Sequence, residues 1–576
     1  MALRPTIFAL LASAALAACT TAGRAPSSQM ASAQMASAQL PWAQFTQNTI
    51  DGWLARDPGF AVYQGAHQYD GKFADWSAAG LKARGDFLRG VIASAGAYRG
   101  LSSTDQFERD YMVQVAKGQL FWLEVADQPH TNPAWYIGAF DPNVYLAREY
   151  APRPQRAAAL AQFLEGVPAA TAQIKANLRG PLAAPLVKYG TAAFSGFADF
   201  YRQDVLSAFA DVRDAALQAR LKAAGANAAA AMTDLSGWLK EQEGAGNFAL
   251  GRARFAQMLS DTEAVTVPLA ELERVGEADL GRNQLALTSA CAQFAPGASV
   301  PECMAKMNAH KPADNPVAEA TRQIPLLTAF IRAKDLVTIP GTEQALVRQS
   351  PAYNAQNGAY IDPPGPLERG IPSVYYIAAP DPTWSREKQN EYIPGVDDLM
   401  FTSVHEVMPG HFLQFLHANR APSLFGRMFV GYAYAEGWAH YSEELMWEAG
   451  LGDNAPEMHI GQLSNALLRD CRFLSAIRLH TAGMTIDQST KFFQTACFQD
   501  AGTAEQQARR GAYDPAYLNY TLGKLMIRKL RADWTASRGG RAGWKAFHDA
   551  FLNYGGPPIP LVRQAMMREA APKAVF

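Results

Sequence analysis

The sequence predicts a mostly α-helical protein with one small β element. Three observations carry this. From about residue 41 onward, Ala-rich stretches place apolar residues at three- and four-residue intervals, the period of one helix face. Pro and Gly clusters at 151–154, 180–185 and 363–372 punctuate those stretches as connections do. One segment, Ser373-Val374-Tyr375-Tyr376-Ile377, is β-branched and aromatic; Gly370-Ile371-Pro372 precedes it and Pro380 ends it, as for a strand.

In chain order, the first element is an export signal over residues 1–18. Arg4 supplies positive charge and Ile7 to Ala18 is apolar. That run is shorter than the roughly 20 residues a membrane-spanning helix takes. Leu16-Ala17-Ala18-Cys19 resembles a bacterial lipobox. The resemblance makes Cys19 the lipidated first mature residue and the protein's only membrane attachment; an ordinary signal peptide cut nearby is the alternative. Thr20 beside it resembles outer-membrane lipoproteins, which implies a protein lipid-anchored to the outer membrane, facing the periplasm or the cell surface. Residues 20–40 are small and polar, with Gln-Met-Ala-Ser-Ala at 29–33 and 34–38, and read as a flexible tether.

Residues 41–576 carry the core. Of 576 residues, 49% are hydrophobic, ample for a large interior. Lys+Arg 52 nearly balance Asp+Glu 53 with no basic stripe, which argues against a nucleic-acid partner. Helices are expected over 155–177, 212–241 and 262–292, and Asp398 to Met408 forms another, with Leu399, Met400 and Val404 apolar. Export permits disulfides. The four cysteines after Cys19 allow three pairings; the local one, 291–303 with 471–497, closes the shortest loops.

Chemistry concentrates in His405-Glu406-Val407-Met408-Pro409-Gly410-His411 and Glu436-Gly437-Trp438. Two imidazoles and a carboxylate suit zinc with a position left for water, and Glu406 sits where a general base belongs. The histidines are six apart rather than the usual four. In a regular helix that spacing rotates them by about 240°, onto different faces. A bulge or kink at Pro409-Gly410 would take up the two extra residues and restore convergence. Glu436 is expected to open a helix over Gly437 to Ala449 and to supply the third ligand. His440, one turn on, could ligate, support a ligand from behind or simply pack. Gln414 could orient a ligand by a hydrogen bond. His417 reads as surface or packing, and Glu443 and Glu444 as a solvated face.

His-Glu-x-x-Pro-Gly-His-x-x-Gln followed by Glu-Gly-Trp-Ala-x-Tyr-x-Glu resembles the signature of the bacterial domain-of-unknown-function family 885. Gly65-Ala66-His67-Gln68-Tyr69-Asp70 resembles its N-terminal segment, and Arg478-Leu479-His480 and Tyr520-Thr521-Leu522-Gly523-Lys524-Leu525 its C-terminal ones. The resemblance spans about 45–570. That family is similar in fold to helical zinc peptidases such as thimet oligopeptidase, neurolysin and angiotensin-converting enzyme. It implies a large helical zincin-like metallopeptidase fold, one catalytic unit over 41–576 with a long substrate channel and the small β element near the active site. It further implies one Zn2+ per chain on His405, His411 and Glu436, with Glu406 as general base and peptides as substrates. Many members carry Asp four residues before the histidine matching His480; here Ala476 stands there, so that role is absent or reassigned.

The implied activity is a metallopeptidase, with carboxypeptidase and oligopeptidase action both open. A tetrahedral intermediate needs an oxyanion donor besides the metal. Tyr520 and His480 are the candidates by the resemblance, with Tyr517 next. Ser373–Ile377 could pair with an extended peptide or lie in a sheet interior. Lys524 and Arg528 could bind a substrate's terminal carboxylate or solvate a helix face. Two other classes remain: a non-catalytic peptide-binding lipoprotein of the same fold, and a di-metal oxidoreductase, which typically needs two Glu-x-x-His motifs.

Overall fold

The computed structural model describes residues 40–351 and 358–576; the export segment, Cys19 and the tether up to residue 39 lie outside the described residues. Helices form where the apolar period put them, at Arg153–Asn177 and Ala215–Glu241. The stretch expected to be one helix over 262–292 is two. Gly251–Glu263 ends where Ala264 turns left-handed at φ 56, and a second helix runs Leu269–Phe294. Pro268 explains the restart: it has no N–H to continue the first helix and it disfavours helical backbone at Val267. A period count alone runs straight through such a joint.

Trp42–Phe576 packs as one compact unit around two large hydrophobic cores and a small cluster at Ala183, Leu186 and Ala512. One includes Trp53, Leu160, Phe194, Tyr201 and Met232. The other includes Phe401, Leu413, Trp438, Phe473 and Leu522. Phe425, Met428 and Phe429 cross from the C-terminal half into the first core and tie the two together. A cavity of about 540 Å³ lies where Phe60, Trp76 and Tyr145 of the N-terminal half face Tyr360 and Ile361.

Sheet structure is slight. β1 (Leu182–Ala183) and β2 (Glu243–Gly244) make a two-residue parallel pair. β3 (Leu346–Gln349), β4 (Ala359–Asp362) and β5 (Val374–Ile377) form a sheet in the order β3-β5-β4. β5 is the strand read from sequence, but it is central and buried throughout, parallel to β3 and antiparallel to β4. It has no free edge for a peptide; the sheet edges are β3 and β4. Cys291 bonds Cys303 and Cys471 bonds Cys497. Among the described residues, no helix is long and apolar enough to cross a membrane.

Candidate metal centre

Four helices build the site. The motif helix, Val396–Glu406, stops one residue after His405, and the next, His411–Ala418, begins on the second histidine. Between them Gly410 N–H donates to Val404 O at 2.9 Å and Leu413 N–H to Val407 O at 3.3 Å. These bonds reach back six residues instead of four, so two residues are looped out and the helical path resumes nearly in phase. A Cβ on Gly410 would lie 1.8 Å from His405 O, which leaves room for glycine alone. Trp438 Nε1–H donates to Pro409 O at 2.8 Å and pins the loop to the neighbouring helix.

That neighbour, the glutamate helix, runs Tyr432–Glu448. It starts a turn earlier than expected, so Glu436 sits in its second turn instead of opening it. The tyrosine helix, Asn519–Thr535, lies against it. A Cβ on Gly437 would come within 2.4 Å of Gly523 Cα, and one on Gly523 within 2.0 Å of Ala433 O. The glycines of two separate motifs are therefore the contact that sets Glu436 beside Tyr520.

His405 Nε2 lies 3.3 Å and His411 Nε2 3.2 Å from Glu436 Oε2. The potential ligand atoms of these three residues all fall within 4.8 Å of one another. The bulge thus does what the spacing required of it.

Glu443 corrects the sequence reading. Expected on a solvated face, it is fully buried. Its Oε1 accepts from His405 Nδ1 at 2.7 Å, its Oε2 faces His440 Nδ1 at 3.2 Å, and Arg469 pairs with it at 3.1 Å. With Nδ1–H donated to Glu443, Nε2 is the His405 nitrogen left to face the cluster. Glu436, His440 and Glu443 are spaced 0, 4 and 7, one helix face, and that spacing was the signal available in the sequence. Glu444 is also buried rather than solvated; it accepts from Arg282 at 3.1 Å.

Electrostatics favour a cation. Burial would raise the Glu436 carboxyl, but His411 and His405 hold it well below the usual range. Burial and Arg469 push the His405 imidazole down, yet Glu436 and Glu443 outweigh them and raise it to about 9. Glu436 Oε2 and His411 Nδ1 are buried without a hydrogen-bond partner. Two imidazoles, an orphaned carboxylate oxygen and a net pull on positive charge fit zinc. His440 is fully buried behind Glu443, and burial and then Lys524 lower it to about 3, so it stays neutral and supports Glu443.

Glu406 follows His405 as the last residue of the motif helix. Its Oε2 accepts from Ile361 N–H of β4 at 3.0 Å. Tyr520 lies parallel to His405, ring centroids 6.2 Å apart, with the Arg472 guanidinium 4.8 Å over its face.

Other expected residues fall elsewhere. His480 has both nitrogens committed to backbone, facing Leu250 N–H at 3.3 Å and Gly511 O at 2.7 Å, and it packs on Phe248 and Phe255. It is a structural bridge, not a catalytic donor. Tyr517 is fully buried, its hydroxyl 2.5 Å from where a Gly511 Cβ would be. Lys524 is fully buried on Asp279 at 2.5 Å, with Arg528 3.3 Å from Glu444, so both serve an internal charge network. Gln414 is fully buried and its amide bonds no protein group, hence no ligand; His417 packs with Nε2 on Thr338 O at 2.8 Å.

A family model described as "Bacterial protein of unknown function (DUF885)" matches residues 58–566. No curated protein matches the sequence. Among solved structures, a "putative lipoprotein of unknown function" from Shewanella oneidensis is similar at 24% identity and TM-score 0.76, over 92% of this chain and 100% of that one. A "putative lipoprotein" from Colwellia psychrerythraea is similar at 17% identity and TM-score 0.76, over 92% and 98%. These likenesses show the fold. A Pyrococcus furiosus carboxypeptidase matches at 10% identity over 85% and 96% of the chains, with a TM-score of 0.32, too low to carry an argument.

Proposed function

The chain belongs to the bacterial DUF885 family, and from its metal centre we propose a zinc-dependent peptidase. One observation carries the reading: the looped-out Pro409-Gly410 brings His405 and His411 onto Glu436, and Glu406 follows His405 directly in the chain. His405, His411 and Glu436 would hold the ion. When bound, zinc supplies Lewis acidity, lowering the pKa of a water and polarising the scissile carbonyl.

The remaining work falls to side chains. Glu406 takes the nucleophile's proton and returns it to the leaving nitrogen. Ile361 N–H holds Glu406 Oε2 at 3.0 Å, which fixes the direction of the other oxygen. Because that N–H points away from β5, the outer edge of β4 runs beside the base, where an extended peptide can pair with it. The cavity at Tyr360 and Ile361 gives side chains of such a peptide room. Tyr520 donates to the developing oxyanion; burial, then Glu436, raises its phenol, so it remains a donor.

Export on a lipid-modified Cys19, to the outer membrane, belongs to the same proposal. It is supported by the two solved neighbours being described as lipoproteins. Cys19→Ala should abolish incorporation of labelled fatty acid. For the activity, zinc-loaded protein is incubated with a peptide library and products are read by mass spectrometry. Cleavage that a chelator stops and zinc restores is expected, with about one zinc per chain. Zinc-loaded protein that binds peptides and cuts none would replace the peptidase by a binding protein.

A further inference from the structure

Three arginines surround Tyr520: Arg469, Arg472 and Arg510, their guanidinium carbons 5.8, 4.8 and 5.9 Å from its ring centroid. Two are neutralised. Arg469 pairs with Glu443 at 3.1 Å. Arg510 pairs with Asp514 at 3.0 Å and donates to Tyr432 OH at 2.8 Å. Arg472 is different. Its one hydrogen bond, Nε–H to Gln507 Oε1 at 2.8 Å, goes to a neutral amide, and among the described residues no carboxylate pairs with it. Yet it is only 8% exposed. A charge so far withdrawn from water ordinarily has a counter-charge. Its Nη atoms are not among the buried groups that lack a partner, so they open on accessible space.

The position narrows what the counter-charge is. Arg472 and the proposed ligand His405 both lie against Tyr520, the guanidinium carbon 4.8 Å and the imidazole centroid 6.2 Å from its ring centroid. An extended peptide advances roughly 3.3 Å per residue, so the span is three residues or fewer. Gln507 fixes Nε–H, leaving the Nη pair for an incoming group, and a planar guanidinium matches a carboxylate in two-pronged fashion.

We infer that Arg472 anchors a carboxylate of the substrate, one to three residues beyond the bond that is cut. This rests on the peptidase reading above. The carboxylate is either the free C-terminus, which makes the protein a carboxypeptidase or short-tail exopeptidase, or an acidic side chain.

Peptides of one sequence are compared as free acid and as C-terminal amide, and the amides also with Glu or Gln at the last three positions. Wild-type zinc protein is expected to show kcat/KM at least tenfold higher for the carboxylate-bearing member, and Arg472→Gln to abolish that ratio, chiefly through KM. Gln507→Leu keeps the charge but loosens it, and should reduce the ratio two- to fivefold. The second readout is binding: Glu406→Gln, zinc content verified, should bind the free acid at least tenfold tighter than the amide by fluorescence anisotropy, and Glu406→Gln/Arg472→Gln should not. A free-acid preference identifies the C-terminus; a preference following Glu in amidated peptides identifies the side chain. Cleavage with a ratio that neither Arg472→Gln nor Gln507→Leu changes overturns the inference and leaves the peptidase reading intact. Carboxylate-selective binding that depends on Arg472 without any cleavage keeps the inference and removes the peptidase. Peptides neither bound nor cut remove both.

Discussion

Glu443→Gln should weaken zinc binding about tenfold, and Glu443→Ala about a hundredfold. Glu443 touches no ion; it holds His405 by an Nδ1–H bond of 2.7 Å and neutralises Arg469 at 3.1 Å. Losing such a support typically costs about 10–100-fold in metal affinity, or about 1.4–2.7 kcal/mol. The amide keeps an acceptor for His405 and loses only charge, which places it at the low end. Alanine strands the His405 N–H and leaves Arg469 buried beside the cluster. Breaking a buried pair costs about 3–5 kcal/mol of stability, so its apo form should also melt earlier. Competition against chelators of graded affinity gives the zinc constants, and thermal unfolding with and without zinc gives the stabilities. If Glu443→Gln and Glu443→Ala both bind zinc as tightly as wild type, Glu443 does not orient His405 and the assignment of the ligand face is wrong.

Gly410→Ala puts a Cβ 1.8 Å from His405 O; it should lose zinc by metal analysis while far-UV circular dichroism stays helical, because only the bulge has to shift. Lys524→Met removes the buried cation that reaches Asp279, Asp470 and Glu444; Arg282 and Arg528 remain on Asp279 and Glu444, so chemical denaturation should show a loss of about 3 kcal/mol, the low end for a broken buried pair. His67 carries a pH dependence. Burial pushes its imidazole down, but Asp70 and Glu368 more than offset this and raise it from 6.5 to about 9. The folded state thus holds the proton more tightly than the unfolded chain, so this stabilisation is full below pH 6.5 and fades as pH climbs through 9. The melting-temperature gap between wild type and His67→Gln should shrink over that interval; a constant gap would contradict the pairing.

Sequence patterns reveal periodicity and local chemistry well, and tertiary partners poorly. Glu406, His405, His411 and Glu436 stand out because their residue types lie close together, and the Pro409-Gly410 break follows from helix geometry once both histidines must converge. Glu443 escaped because its partner Arg469 comes from the distant Pro456–Thr481 helix, and only its shared helix face with Glu436 pointed inward. His480 misled for the opposite reason: its motif is conspicuous, but its two backbone partners lie 230 and 31 residues away. Composition showed Ser373–Ile377 to be extended, whereas its central place in the sheet depends on β3 and β4, whose own sequences are weakly β-like. Arg472 has no local signature at all, since what distinguishes it is a missing counter-charge.

The central claim, that Glu406 is the base of a zinc peptidase, is tested most directly by turnover and zinc content of Glu406→Gln beside wild type on one cleaved peptide. About one zinc per chain is expected in both, with a rate at least ~100-fold lower in the variant, the usual contribution of a general base. A variant that keeps its zinc and cleaves at the wild-type rate would contradict it.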